Sequence, residues 1–247
     1  MGLQPHRGVV EMTALSGADW IGLAVFVTLY VGYGPLCSRI WPHSINGRLG
    51  ALRVDWMRTM LRRDNRIVDS SLIGHVVHSA SFFASTSLIV IGALLSLLTS
   101  VERLQLALEG LAFVPPVARL AFELKILLPL AIMVHGFVRF TWSIRQLNYT
   151  IALIGAAPDR HDAGVFIERL AVSIGAVMTA ALTTFNAGLR SYYYALAALA
   201  WVVGPWEMTL ATMLLTVMLV WRQIASPAAR SFRDALDTVA AARKAND

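Results

Sequence analysis

A chain of 247 residues that is 57% hydrophobic and only 15% charged falls well short of the roughly one-quarter charged residues usual in soluble domains. With a mean hydropathy of +0.61 it reads as a polytopic membrane protein, its length divided among spans of about 20 residues. The net charge of +6 fits arginine retained on the cytoplasmic side better than nucleic acid as a partner, and a single cysteine, Cys37, excludes an intramolecular disulfide and a cysteine-only metal cluster.

Residues 1–17 are weakly polar, and the apolar run after them ends in Gly34-Pro35-Leu36-Cys37 rather than in a small-x-small cleavage site. A retained first span is expected over about residues 20–37, opened by Asp19-Trp20 and ended by Gly34-Pro35. Arg39, Arg48, Arg53, Arg58, Arg62, Arg63 and Arg66 follow within residues 38–69, which assigns that segment to the cytoplasm. Within it Leu52, Trp56, Met60 or Leu61, Ile67 and Val68 recur at helical spacing. This predicts an amphipathic helix lying on the membrane surface or leading into the next span.

The second span, about residues 71–98, carries a stripe of Gly74, His78, Ser81, Ser85 and Gly92 on one face. Small residues let helix backbones approach closely in lipid. His75 and His78 raise haem ligation or proton relay, against polar packing near the interface. Only His135 stands elsewhere in a span, at a different depth. Residues 99–120 form the external connection, helical over 101–113 and broken by Pro115-Pro116.

The third span, about residues 122–144, continues into Arg139-Phe140-Thr141-Trp142-Ser143-Ile144-Arg145-Gln146-Leu147-Asn148-Tyr149. A helix from Phe122 to Ile154 is roughly 50 Å long, against a hydrocarbon core of about 30 Å. About a dozen residues must therefore project beyond the bilayer. Residues 158–164 form a polar turn, and the helical pattern resumes at Val165. That segment is expected to be a cytoplasmic helix antiparallel to the projecting end, since counting it as a span strands Arg222, Arg230, Arg233, Arg243 and Lys244 outside. Two short apolar runs, spans of about 190–204 and 206–222, meet at Gly204-Pro205 with Arg190 and Arg222 flanking the pair. Residues 226–247 make a polar, alanine-rich cytoplasmic tail in which Phe232, Leu236 and Val239 fit a weak amphipathic helix.

The fold class is thus all-α: a transmembrane helical bundle over residues 1–225 with long helices projecting into the cytoplasm, of five crossings, or of four with the last region crossing once. The run Phe82-Phe83-Ala84-Ser85-Thr86-Ser87, the stretch from Arg139 to Tyr149, the segment from Phe185 to Tyr194 and the Gly204-Pro205 hairpin resemble an uncharacterised membrane-protein family, domain of unknown function 599. The resemblance covers roughly Asp19 to Gln223. It implies a polytopic membrane protein and no assigned activity, and His135 lies outside its motifs.

No phosphate-binding loop, dinucleotide fingerprint, His-Glu-x-x-His or Gly-x-Ser-x-Gly is present, and no acid sits in the middle of a span. Neither an enzyme nor a cofactor is expected. The candidate ligand residues are Arg139, Arg145, Gln146, Asn148, Tyr149, Asn186 and Arg190. If the two projecting segments pair antiparallel, these gather at the inner interface, where arginine forks suit a small anion or a lipid headgroup. The competing reading is arginines snorkelling to headgroups beside an aromatic belt. The expected function is that of a self-associating or accessory scaffold of the inner membrane, C-terminus cytoplasmic, with lipids and a homo-oligomer or larger complex as partners. The alternative is a channel or transporter for a small anion or anionic lipid.

Overall fold

The long apolar runs of the sequence, free of internal breakers that the bundle cannot absorb, each fold as one helix. The computed structural model describes residues 15–40, 45–109, 118–158 and 166–244. Its helices are α1 Gly17–Ile40, α2 Ile45–Leu61, α3 Ile67–Thr99, α4 Val101–Glu109, α5 Arg119–Gly155, α6 Ile167–Leu199, α7 Pro205–Ile224 and α8 Pro227–Lys244. Five stretches have the length and hydropathy to cross a membrane: Gly17–Ile40, Ile67–Thr99, Arg119–Gly155, Ile167–Val202 and one beginning at Pro205. The chain is an all-α polytopic bundle with five candidate spans.

The α5–α6 pair is the axis of the molecule. The two helices run antiparallel and very close, because glycine faces side chain at two levels. A Cβ on Gly136 would lie 2.9 Å from Ser191 Cβ, and one on Gly188 would lie 2.7 Å from the Phe140 ring. Further along, Ser143 Oγ donates to the Ala181 carbonyl at 2.8 Å. α3 lies on α5 through Phe83, which stacks on Phe140 at 5.6 Å between centroids. Tyr192 closes this aromatic cluster by donating to the Phe83 carbonyl at 2.9 Å.

α1 and α7 form a second pair. At one end of it Trp201 Nε1 donates to Asp19 Oδ1 at 2.7 Å. Asp19 also accepts from the Ser16 backbone at 2.9 Å while Ser16 Oγ accepts from the Asp19 N–H at 3.2 Å. This reciprocal Ser-x-x-Asp arrangement satisfies the free donors that open α1.

At the opposite, arginine-rich end, α2 runs antiparallel to the first half of α6. Gly175 sits so close to Val54 that a Cβ would lie 2.7 Å from its Cγ2, and Arg58 forms an ion pair with Glu168. The Glu168 hydrogen bond, together with Asp55, holds the Arg58 guanidinium above its ordinary range against the opposing effect of burial. Met57, Met60, Leu61, Ile73, Ile154, Ala171, Ile174 and Met178 make a core of their own here, contributed by α2, α3, α5 and α6. Asp69, wholly buried, ties α2 to α3 by accepting from Arg63 at 2.8 Å and from Trp56 Nε1 at 2.6 Å. Arg66 caps the end of α5 through the carbonyls of Ala157, 3.1 Å, and Pro158, 2.8 Å.

Several expectations change. Gly34-Pro35 does not end the first helix: α1 passes through Pro35 to Ile40, since a proline within a span is tolerated where neighbouring helices surround it. The apolar face of α2 is covered by protein, not by lipid. The separate cytoplasmic helix and the short span at 190–204 are one unbroken helix, α6, of 33 residues. That continuity removes the difficulty of an arm too short to cross. The small-residue stripe of α3 faces away from the bundle: a Cβ on Gly74 or Gly92 meets nothing within 4 Å. Ile73, Ala80, Ala84, Ser87 and Leu94 are the buried positions instead. Pro115, Pro116 and most of the turn at 158–164 lie outside the described residues.

Candidate functional site

Residues Asn186, Leu189, Arg190 and Tyr193 fall at i, i+3, i+4 and i+7 and so share one face of α6. Tyr33 of α1 and Leu219, Arg222 and Gln223 of α7 face them, and the three helices line an open cavity of about 220 Å³. Gly34 lies alongside: a Cβ there would be in ordinary contact with Arg190 Nη2, at 3.5 Å. The Arg190 guanidinium carbon stands 5.2 Å from the centroid of the Tyr33 ring. Gln223 Nε2 donates to Tyr33 Oη at 2.8 Å, and Arg222 Nη1 to Tyr193 Oη at 3.4 Å. Below the cavity the tyrosines are fixed in turn. Tyr30 pairs with Ser191 Oγ at 2.9 Å and Tyr194 with Thr216 Oγ1 at 2.9 Å.

The electrostatics are one-sided. Among the described residues, ion pairs form at Arg48, Arg58, Arg63 and Arg119. None forms at Arg139, Arg190 or Arg222. Arg190 is half-buried, and stacking on tyrosine returns only about 0.5–2 kcal/mol to a desolvated guanidinium. An unpaired charge taken out of water costs several kcal/mol even after relaxation. Among the described residues, then, no carboxylate within ion-pair reach balances the Arg190 charge.

The candidate residues divide into two sets. Asn186 and Arg190 line the cavity. Arg139, exposed on α5, lies near enough for its charge to be felt at Arg190, and its Nε donates to His135 Nε2 at 3.0 Å. The other four stand apart. The Ser143–Ala181 bond sets the register of α5 on α6, so Arg145 lies near the level of Ala181, about 14 Å from Arg190 along the helix. There Arg145 Nε donates to Tyr149 Oη at 2.8 Å, and both are exposed, as is Asn148. Gln146 Oε1 is buried without a hydrogen-bond partner, as is Thr179 Oγ1. The two projecting helices do pair, but the pairing spreads the arginines along their length.

A family model described as a protein of unknown function, DUF599, matches residues 21–228. The chain belongs to the DUF599 family. The match takes in every residue that lines the cavity and stops at the start of α8. Among curated proteins and solved structures, none matches the chain.

In this DUF599 chain, Tyr33, Tyr193, Arg222 and Gln223 are site residues that the sequence reading passes over. One signal for them was present. Arg190 and Arg222 flank a hairpin of two apolar runs, and a hairpin brings its flanks to one level. Nothing in the sequence pairs α1 with α7, so Tyr33 and its bond to Gln223 give no such sign. The histidines do not converge: His135 packs edge-on against Tyr30 at 5.9 Å, whereas His75 and His78 are exposed on α3. Among the described residues no three His, Cys, Asp or Glu side chains form a metal-binding group.

Proposed function

We propose that this protein is a multi-pass component of the inner membrane, C-terminus cytoplasmic, that holds an anion at its arginine-rich end without itself catalysing a reaction. The observation that carries this reading is Arg190: a half-buried guanidinium with no carboxylate partner, turned to a cavity it shares with Arg222. The orientation follows from the arginines of α2 and α7, which belong on the cytoplasmic side by the positive-inside rule. The test is thermal unfolding of the full chain at fixed ionic strength with added sodium sulfate. A ligand that binds only the folded state raises the midpoint, and Arg190→Gln removes the rise. Equal responses from wild type and variant overturn the reading.

A second reading, self-association as a scaffold or accessory subunit, is favoured by one observation. Gly74 and Gly92 present a close-packing surface that none of the described residues covers. Gly92→Trp is then expected to dissociate a dimer seen by native mass spectrometry. A strict monomer in the wild type removes the idea.

A further inference from the structure

We infer that the group held in the Arg190 cavity is a phosphate of the monoester type, a tetrahedral anion carrying about two negative charges near neutral pH. This rests on the anion-binding reading above and narrows it. Charge is the first reason. Arg190 and Arg222 both line the cavity and no carboxylate does, with Arg139 close enough to add to the field at Arg190. Arg190 is half-buried while Arg222 and Arg139 are exposed, and a doubly charged phosphate monoester draws more from this cluster than a halide or a single carboxylate does.

Size and donor geometry point the same way. A cavity of about 220 Å³ is some seven times the ~30 Å³ that a water molecule occupies in the liquid. A halide of near-water size leaves most of this open pocket to water. A monoester offers three strong acceptor oxygens, and planar guanidinium forks match two of them at a time. Arg190 enters from α6 and Arg222 from α7, so the two forks approach from different helices, with the Asn186 amide also in the lining. Each arginine has donors to spare, since Arg222 gives one bond to Tyr193 and Arg190 is held by the face of Tyr33.

Depth leaves two sources of the same chemistry. Trp206 and Trp221, both exposed, stand near the two ends of α7 as interface tryptophans do. Arg222 follows Trp221 directly, at headgroup level. Inorganic phosphate reaches the cavity from water; a phosphorylated lipid headgroup reaches it from the leaflet.

The experiment uses the full chain in nanodiscs of phosphatidylcholine. One arm measures radiolabelled inorganic phosphate by equilibrium dialysis, with chloride as competitor. The other counts lipid adducts by native mass spectrometry after doping with phosphatidate, a monoester, or phosphatidylglycerol, a singly charged diester. Phosphate outcompeting chloride, or phosphatidate outcompeting phosphatidylglycerol, by about tenfold or more is expected from the added charge-assisted bonds. Arg222→Gln, at the cavity mouth, abolishes the preference, and Arg190→Gln does so if it folds. Arg145→Gln, about 14 Å away, leaves it intact. Preference in the dialysis arm assigns the soluble source, and preference in the adduct arm assigns the lipid. Arginine-dependent binding of all these anions with equal affinity overturns the phosphate assignment while the anion site stands. No binding of any of them, with sulfate also silent in the unfolding test, overturns both.

Discussion

Arg190 illustrates how a residue acquires a role from what is missing around it. Its guanidinium carbon stands over the Tyr33 ring, and among the described residues no acid pairs with it. Lysine there keeps the charge but loses the planar stack and the fork, so Arg190→Lys should weaken anion binding by about tenfold. The anion dependence of the unfolding midpoint measures this. Gln146 is the converse case, a buried acceptor with no donor. Leaving such a group unmade costs about 1–3 kcal/mol, so Gln146→Leu should be neutral or stabilising by about 1 kcal/mol in chemical denaturation. At this scale the sequence was half legible. Arginine and amide residues in an apolar context were visible, including Arg190 and Asn186. The partner that distinguishes Arg190 from Arg145 was not, because the difference lies in the register of α6 against α1 and α7. Register is a property of packing between helices, and the pattern along one helix does not carry it.

The helices themselves were more legible than what covers them. All the long apolar runs became helices, but an amphipathic period says only that one face is to be buried. For α2 the cover is the α6 helix and a methionine-rich core rather than lipid, as the Gly175–Val54 approach requires. For α3 the small residues that suggested close packing face outward, and alanines one step round the helix pack inward. The close α5–α6 crossing gives the sharpest prediction here. An added methyl at position 188 meets the Phe140 ring at 2.7 Å, and overpacking of this kind costs about 1–3 kcal/mol. Gly188→Ala should lower stability by that amount in detergent unfolding. Gly32→Ala, where a Cβ meets nothing within 4 Å, should not.

The five crossings proposed above place residues ahead of Gly17 and residues after Ile224 on opposite sides of the membrane. Reporter fusions after Pro158 and after Ile224 should therefore report the same compartment, the cytoplasm, and a fusion ahead of Gly17 the other. Disagreement between the first two reporters breaks this topology. The molecule also divides along its long axis. One core lies among the spans, with Phe26, Tyr194, Trp201 and Met208 at its centre, and a second lies between α2 and the ends of α3, α5 and α6. α6 belongs to both, running without interruption from Ile174 in the one to Tyr194 in the other. A rod of that kind has a single tilt. Both cores therefore rest on one 33-residue helix, with Glu168 and its bond to Arg58 near one end and the Arg190 cavity toward the other.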